Sequence, residues 1–128
     1  EHRMDMFNPD YYRLNGLGFE CIDLTERYSF NVGNCLKYMF RLHGKNTAHE
    51  NLGKARWYAR RAQAHGERFR PIHETDMPET IGMLRTLIQH DWQHASMFWA
   101  SVLDCHTGSG DTTSIIDAIN ELDTTEKE

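Results

Sequence analysis

The sequence predicts an all-α fold, a small helical bundle of about five helices with an extended N-terminal arm. Apolar residues recur at spacings of three and four over long segments. Capping residues and glycines separate these segments, and no stretch alternates apolar and polar residues in the way that a strand requires. A chain of 128 residues is the size of one domain, so we expect a single domain over residues 1–128.

The first half of the chain predicts an arm and three helices. Residues 1–16 lack periodicity and are predicted to be extended. We expect helices at residues 17–28, 32–42 and 48–64, where apolar side chains return every three or four residues. Ser29 and Asn31 are candidate caps for the second helix, because short polar side chains satisfy free N–H groups at a helix start.

The second half predicts a linker and two helices. Residues 67–75 contain Pro71 and form the linker. Asp76, Pro78 and Glu79 provide the start of a fourth helix. Its apolar pattern continues to residue 102, which gives one helix of about 25 residues. After the Gly-Ser-Gly break at residues 108–110, Asp111 caps the last helix.

The two halves of the chain carry opposite charge. Residues 1–70 contain twelve Lys and Arg against eight Asp and Glu, whereas residues 71–128 contain two against eleven. Such halves meet within one fold or between subunits, or the acidic half is a solvated face. Since acidic residues repel a long phosphate backbone, DNA binding is not expected.

Location is predicted from three features. No apolar run reaches the length of about 18 residues that a membrane span needs, so no membrane partner is expected. The first ten residues contain no apolar signal segment. Cys21, Cys35 and Cys105 are an odd set without paired spacing, which is typical of reduced thiols. We therefore predict a cytoplasmic protein.

Glu20 and Asp23 form a candidate metal site. Residues three apart share one face of a helix, and two carboxylates on one face suit Mg²⁺. All-α nucleotide pyrophosphohydrolases use two such acidic pairs, whereas this sequence has one clear pair. The alternative is a solvent-facing edge or a salt bridge to Lys37 or Lys54.

Lys37 and Arg41 form a candidate phosphate site. They lie one turn apart on the predicted second helix, where the arginine fork and the lysine charge suit phosphate oxygens. Lys45 and Lys54 extend the site. Ordinary surface exposure explains the same spacing equally well.

Asn34 and Tyr38 lie on the same side of that helix and are candidate nucleoside-binding residues. An amide binds a base edge, and a tyrosine ring stacks on a base while its hydroxyl binds polar groups. The alternative for Tyr38 is a residue at the edge of the core. Trp57 and Tyr58 have the same ambiguity. The arginines of the third helix are expected to form a solvated face.

His90 and His94 have the spacing of two zinc ligands on a helix, in a segment that resembles HExxH. Asp91 replaces the catalytic glutamate of that motif, and the third ligand would be His106 or Asp104. Surface or interface histidines are the alternative. The chain has no GxxxxGK[ST] motif, which excludes an ordinary P-loop kinase.

The blocks FECID, GNCLKYMFR and ENLGKARWYARR resemble a phage-encoded family of small helical proteins. That family includes the C-terminal domain of a podophage nucleotide kinase and lactococcal phage proteins that affect sensitivity to abortive infection. The resemblance covers residues 11–62 as a family-like core, and leaves residues 76–123 as a C-terminal helical extension. Its most specific residues are Gly33, Asn34, Lys37, Tyr38, Arg41, Gly44 and Lys45.

Two functions follow as hypotheses. The first is a phage nucleotide-handling protein that binds a nucleoside phosphate, with Mg²⁺ and with phosphoryl transfer of a kinase or phosphohydrolase type. The second is a non-enzymatic accessory protein that binds a host protein or sequesters a signalling nucleotide. The sequence does not decide between an enzyme and a binding protein.

A homo-oligomer is also predicted. Trp92, Met97, Phe98 and Trp99 place apolar side chains on more than one side of the predicted fourth helix. Since a small monomer buries only one stripe of an amphipathic helix, we expect the second face to join subunits.

Overall fold

The computed structural model describes residues 16–127, so nearly all of the predicted N-terminal arm lies outside the described residues. The described part is all-α, as predicted, and contains no strand. Its helices are α1 (Cys21–Thr25), α2 (Phe30–Phe40), α3 (Ala48–Ala64), α4 (Met77–Gln89), α5 (Ser96–Thr107) and α6 (Thr112–Lys127). Short 3₁₀ turns at Glu74–Asp76 and Trp92–His94 precede α4 and α5.

The helices follow one another around the bundle in the order α1, α2, α3, α6, α5, α4. Helix α3 is central and packs against both α2 and α6. Its buried side is narrow, with Ala55, Ala59 and Ala62 at full burial beside Leu52, and small side chains let two helices approach it closely. The largest fully buried side chains are Trp99, Phe40, Phe69, Phe98, Leu24, Leu36, Met39, Leu42, Leu52, Leu84, Leu87 and Ile115.

Some predicted helix boundaries are confirmed and others are wrong. Helix α3 has the predicted bounds, and Asp111 caps α6 by accepting the backbone N–H of Ser114 at 2.9 Å. The first predicted helix is too long, because Gly16 and Gly18 have φ of 77° and 88°. Those left-handed conformations are incompatible with a helix, so α1 begins only at Cys21.

The long fourth helix predicted at residues 78–102 is instead two helices, α4 and α5. Between them Asp91, Gln93 and His94 have positive φ of 48°, 60° and 55°. Tertiary hydrogen bonds hold this break: Trp92 Nε1 donates to the Phe40 carbonyl at 2.9 Å, and Gln93 Oε1 accepts the His43 N–H at 2.5 Å. Bonds to the end of α2 therefore override a continuous apolar pattern.

The two-sided apolar face expected on that helix is not present. Phe98 and Trp99 are fully buried in the single chain and Trp92 is half-buried, whereas Met97 alone of these four is exposed, at 77%. The break turns α5 back against α4, so one bundle covers both groups of side chains. The homo-oligomer stays a prediction, without this surface as its support.

A buried polar pair joins the first and second halves of the fold. Tyr28 Oη lies 2.6 Å from His106 Nε2, and His106 Nδ1 lies 2.9 Å from the Val102 carbonyl. Since a carbonyl only accepts, Nδ1 carries the proton and Nε2 accepts from the tyrosine hydroxyl. Burial lowers the pKa of His106, with the nearby Arg70 charge acting in the same direction. The lowered pKa favours the neutral form of this histidine in the folded protein.

Candidate functional site

The structure brings three of the four predicted phosphate ligands together around one aromatic ring. Lys37 Nζ lies 4.7 Å from the centroid of the Tyr38 ring, and Arg41 Cζ lies 4.8 Å from it. Lys54, from the neighbouring helix α3, places its Nζ 5.4 Å from the same centroid. We call Lys37, Tyr38, Arg41 and Lys54 the cation cluster.

The cluster forms because α2 and α3 pack side by side and Tyr38 points to their contact. The Tyr38 ring is half-buried and stacks on Tyr58 of α3, with centroids 5.9 Å apart and planes 13° apart. A cation over an aromatic face gains electrostatic attraction of about 0.5–1 kcal/mol at an exposed site. Tyr38 therefore orders three positive charges, a role that the sequence did not indicate.

A distant carboxylate holds the beginning of α2. Glu67 accepts hydrogen bonds from the Ser29 hydroxyl at 2.6 Å, the Asn31 backbone N–H at 3.1 Å and the Asn31 side-chain amide at 2.5 Å. Burial raises the pKa of the Glu67 carboxyl, but these hydrogen bonds outweigh it and hold the pKa below its usual value. Ser29 is the N-cap as predicted, yet the group that neutralises the helix start comes from after α3.

Asn51 holds the end of α2, a role that no sequence pattern indicated. Its side chain is fully buried, and its Nδ2 donates to the carbonyls of Leu42 at 3.0 Å and Lys45 at 2.5 Å. This bond joins α3 to the turn that follows Arg41. Lys45 itself is exposed in the turn and, within the described residues, is not one of the cations over Tyr38.

Asn34 lies beside a groove between α1 and α2. Its Nδ2 donates to the Phe30 carbonyl at 2.9 Å, so part of its amide is already used within the helix. The groove has a volume of about 300 Å³, and its lining includes Ile22, Phe30, Asn34 and Lys37. Similar volumes occur elsewhere on the surface, so size alone does not select this groove.

Gly33 sets the width of this groove. A Cβ on Gly33 would lie 2.7 Å from the carbonyl oxygen of Thr25. Only glycine therefore lets α2 approach α1 so closely. One residue of the GNCLKYMFR block is thus explained by packing.

Glu20 and Asp23 lie at the start of α1, where Asp23 Oδ2 accepts the Glu20 backbone N–H at 2.8 Å as part of a capping box. Between them, burial raises the pKa of the Cys21 thiol to about 12, while the charges of Lys37 and Arg41 act to lower it. Within residues 16–127 no three His, Cys, Asp or Glu side chains are grouped to hold a metal.

The zinc geometry expected of His90 and His94 is not formed. Helix α4 ends at Gln89, so the two histidines do not share a helical face. His90 Nδ1 lies 3.0 Å from the Thr86 carbonyl, and His94 Nδ1 lies 3.2 Å from Asp91 Oδ2. The predicted third ligand His106 is buried against Tyr28. These histidines belong to the break between α4 and α5.

The acidic half of the chain meets the basic half on the other side of α3. Asp123 of α6 accepts from His49 Nδ1 at 2.6 Å and from Arg56 Nη2 at 3.1 Å, and Arg56 also donates to Asn120 at 3.0 Å. Burial raises the pKa of Asp123, but these bonds outweigh it and hold the pKa below its usual value. Arg56, expected on a solvated face, is instead an ion-pair partner between helices.

Comparison with known proteins gives one finding. Residues 7–60 match DUF3310, a family of proteins of unknown function, over less than half of the chain. The matched segment contains α1, α2 and most of α3, and therefore the whole cation cluster. No curated protein and no solved structure matches the chain significantly. In residues 16–127 no helix has both the length and the apolar character needed to cross a membrane.

Proposed function

We propose that this protein binds a nucleoside phosphate at the cation cluster. The observation that carries the proposal is the convergence of Lys37 and Lys54, from two helices, on one tyrosine ring beside Arg41. Like charges held this close repel each other, and a phosphate group that binds between them relieves that repulsion. In the described residues no carboxylate lies within ion-pair distance of Lys37 or Lys54.

In this proposal each predicted residue has a defined task. The arginine and lysine side chains contact the phosphate oxygens, since charge-assisted bonds to phosphate are the strong ones. The Tyr38 hydroxyl and the Asn34 amide provide polar contacts to the nucleoside. Lys45 reaches the phosphates from the turn after α2.

Mg²⁺ is the proposed partner of Glu20 and Asp23. Mg²⁺ in proteins commonly takes one or two carboxylates together with phosphate oxygens and water, so a third carboxylate is not required. The charges of Lys37 and Arg41 act on Cys21, the residue that follows Glu20, and this supports a position for Mg²⁺ near the cation cluster. Phosphoryl transfer at this place would rest on positioning and charge. The proposal further includes the predicted phage origin and cytoplasmic location.

A calorimetric titration with nucleoside mono- and triphosphates, with and without Mg²⁺, tests the proposal. Changing Lys37 and Arg41 together to alanine should weaken binding at least about tenfold, because each charge-assisted contact contributes about 1.5–3 kcal/mol. A matched control, Arg60→Ala with Arg85→Ala, removes the same charge from exposed positions outside the cluster. Equal binding by both double variants would refute the phosphate site.

Turnover separates the two hypotheses that the sequence left open. An enzyme converts its nucleotide in the presence of Mg²⁺, whereas a sequestering protein releases it unchanged. Product analysis after long incubation decides between them, with the Asp23→Asn variant as the test of the metal site. If Mg²⁺ affects neither binding nor turnover, the two carboxylates serve only to cap α1.

A further inference from the structure

Two large aromatic side chains are exposed on the face that carries the cation cluster. Phe30 of α2 is 73% exposed and Trp57 of α3 is 57% exposed. Exposure of a phenylalanine and a tryptophan is unfavourable in water, and a surface that combines them usually serves in binding. The other large exposed apolar residues of the described chain, Ile22, Ile72 and Met97, are aliphatic.

The two exposed rings both contact Tyr58, and so they extend the Tyr38–Tyr58 stack. Phe30 meets Tyr58 edge to face, with centroids 6.2 Å apart and planes 72° apart. Trp57 also meets Tyr58 edge to face, with centroids 5.0 Å apart and planes 85° apart. Tyr58 thus joins four rings into one array across α2 and α3, and its outer members are the exposed ones.

Positive charges lie beside the rings along the same face. Arg61 Cζ is 5.6 Å from the centroid of the Trp57 ring, while Lys37 and Lys54 lie over Tyr38. On α3 the spacing of Lys54, Trp57 and Arg61 repeats every three or four residues, so these side chains share one face. Cations and aromatic rings therefore lie side by side on the α2–α3 face.

Tyr38 is poorly placed to stack on a base itself. Its ring already stacks on Tyr58 and has three cations around it. Phe30 and Trp57 present free ring surface to solvent instead. The two rings come from different helices and each contacts Tyr58, so each offers its own surface for a base.

We infer that this face binds a short single-stranded nucleic acid, with bases stacked on Phe30 and Trp57 and phosphates on Lys37, Lys54 and Arg61. The inference rests on the proposed phosphate site and names its ligand class. Stacking on protein rings requires unpaired bases, which excludes a duplex. Aromatic rings between basic residues are the combination by which proteins hold single strands without reading their sequence.

The acidic half of the chain does not oppose a short ligand here. Several of its carboxylates already have partners inside the fold: Asp76 and Glu79 pair with Arg27, and Asp123 pairs with Arg56 and His49. The sequence argued against DNA binding because the acidic half repels a long phosphate backbone. A short strand contacts only the α2–α3 face.

Fluorescence anisotropy with a labelled oligothymidylate of about 12 nucleotides, compared with thymidine monophosphate as competitor, tests the inference. We expect the oligonucleotide to bind at least about tenfold more tightly than the monophosphate, since it uses both rings. Phe30→Ala and Trp57→Ala should each weaken oligonucleotide binding roughly fivefold or more, and Trp57→Phe should retain most of it. Added salt should weaken binding steeply.

The controls are Ile72→Ala and Met97→Ala, which remove exposed apolar side chains elsewhere and should leave affinity unchanged. If the monophosphate binds as tightly as the oligonucleotide, the inference falls and the nucleotide site stands. If neither ligand binds, both proposals fall. If alanine at Phe30 and Trp57 has no effect on oligonucleotide binding, the face recognises charge alone and the inference is overturned. The same holds if polyglutamate displaces the labelled oligonucleotide as well as unlabelled oligothymidylate does.

Discussion

Helix α3 carries basic residues on two sides, and these residues have different partners on each side. Toward α6, Arg56 is bound by Asp123 and Asn120, with His49 on the same carboxylate. Toward α2, Lys54 and Arg61 lie over aromatic rings. The residue type is the same on both sides, so the partner decides whether a cation stabilises the fold or is available to a ligand.

The difference has a physical basis in burial. The Asp123 side chain is 10% exposed and that of Arg56 is 20% exposed. At this burial each charge has lost most of its contact with water, and the opposite charge compensates for that loss. An aromatic ring gives a cation weaker attraction and leaves its N–H groups able to bind an anion. We therefore expect the α6 side to respond to mutation in stability and the α2 side in binding.

The largest expected effect is on the α6 side. Asp123→Ala leaves Arg56 and His49 without their carboxylate, and removing one partner of a buried ion pair should lower the free energy of unfolding by about 3 kcal/mol. Urea unfolding measures it. Asp117→Ala, at an exposed position of the same helix, should change stability by no more than about 0.5 kcal/mol. Equal effects of the two changes would mean that the pair is not a structural contact.

Asn51→Ala should lower the free energy of unfolding by about 2 kcal/mol, because the carbonyls of Leu42 and Lys45 lose their donor. Arg60→Ala, an exposed change on the same helix, is the control in the same urea experiment. Asn51→Ala should also weaken phosphate binding, since the hydrogen bonds of Asn51 position the turn after Arg41. Full stability in the variant would show that water replaces the amide.

Stability should fall as the pH drops below about 6.5, the ordinary pKa of histidine. His106 has a lowered pKa in the fold, so the unfolded chain binds a proton that the folded chain does not, and the folded state loses stability as the pH falls. The loss should be smaller in His106→Asn. The carboxyls of Glu67 and Asp123, whose pKa values are lowered, add their losses only below about pH 4.5. Thermal melts at a series of pH values measure both losses of stability.

The smallest expected effect on stability is on the α2 side. Lys37→Ala with Lys54→Ala should change the free energy of unfolding by less than about 0.5 kcal/mol, because the half-buried Lys37 and the exposed Lys54 gain little from the ring and repel one another. Binding of a nucleoside phosphate should weaken in the same protein. A loss of stability as large as that of Asp123→Ala would make both sides of α3 structural.

Parts of the site followed from the sequence and parts did not. The spacing of Lys37 and Arg41 predicted that they lie together, because one helix determines their separation. Lys54 joined them as expected, whereas Lys45 did not come over the ring. Glu67 and Asn51, which hold the two ends of α2, carried no signal, since their partners lie 6 to 38 residues away in the chain.

The sequence by itself determined the all-α class, the bounds of α3, the cap at Asp111 and the shared face of Lys37 and Arg41. These depend on contacts within a few residues, which periodicity and capping chemistry record. Only the tertiary structure decided that the fourth predicted helix breaks at Asp91, that Asp123 binds Arg56, and that Tyr38 gathers cations from two helices. Each of these depends on which helices become neighbours. An apolar stripe predicts that one face of a helix is buried, but it does not identify the helix that packs against that face.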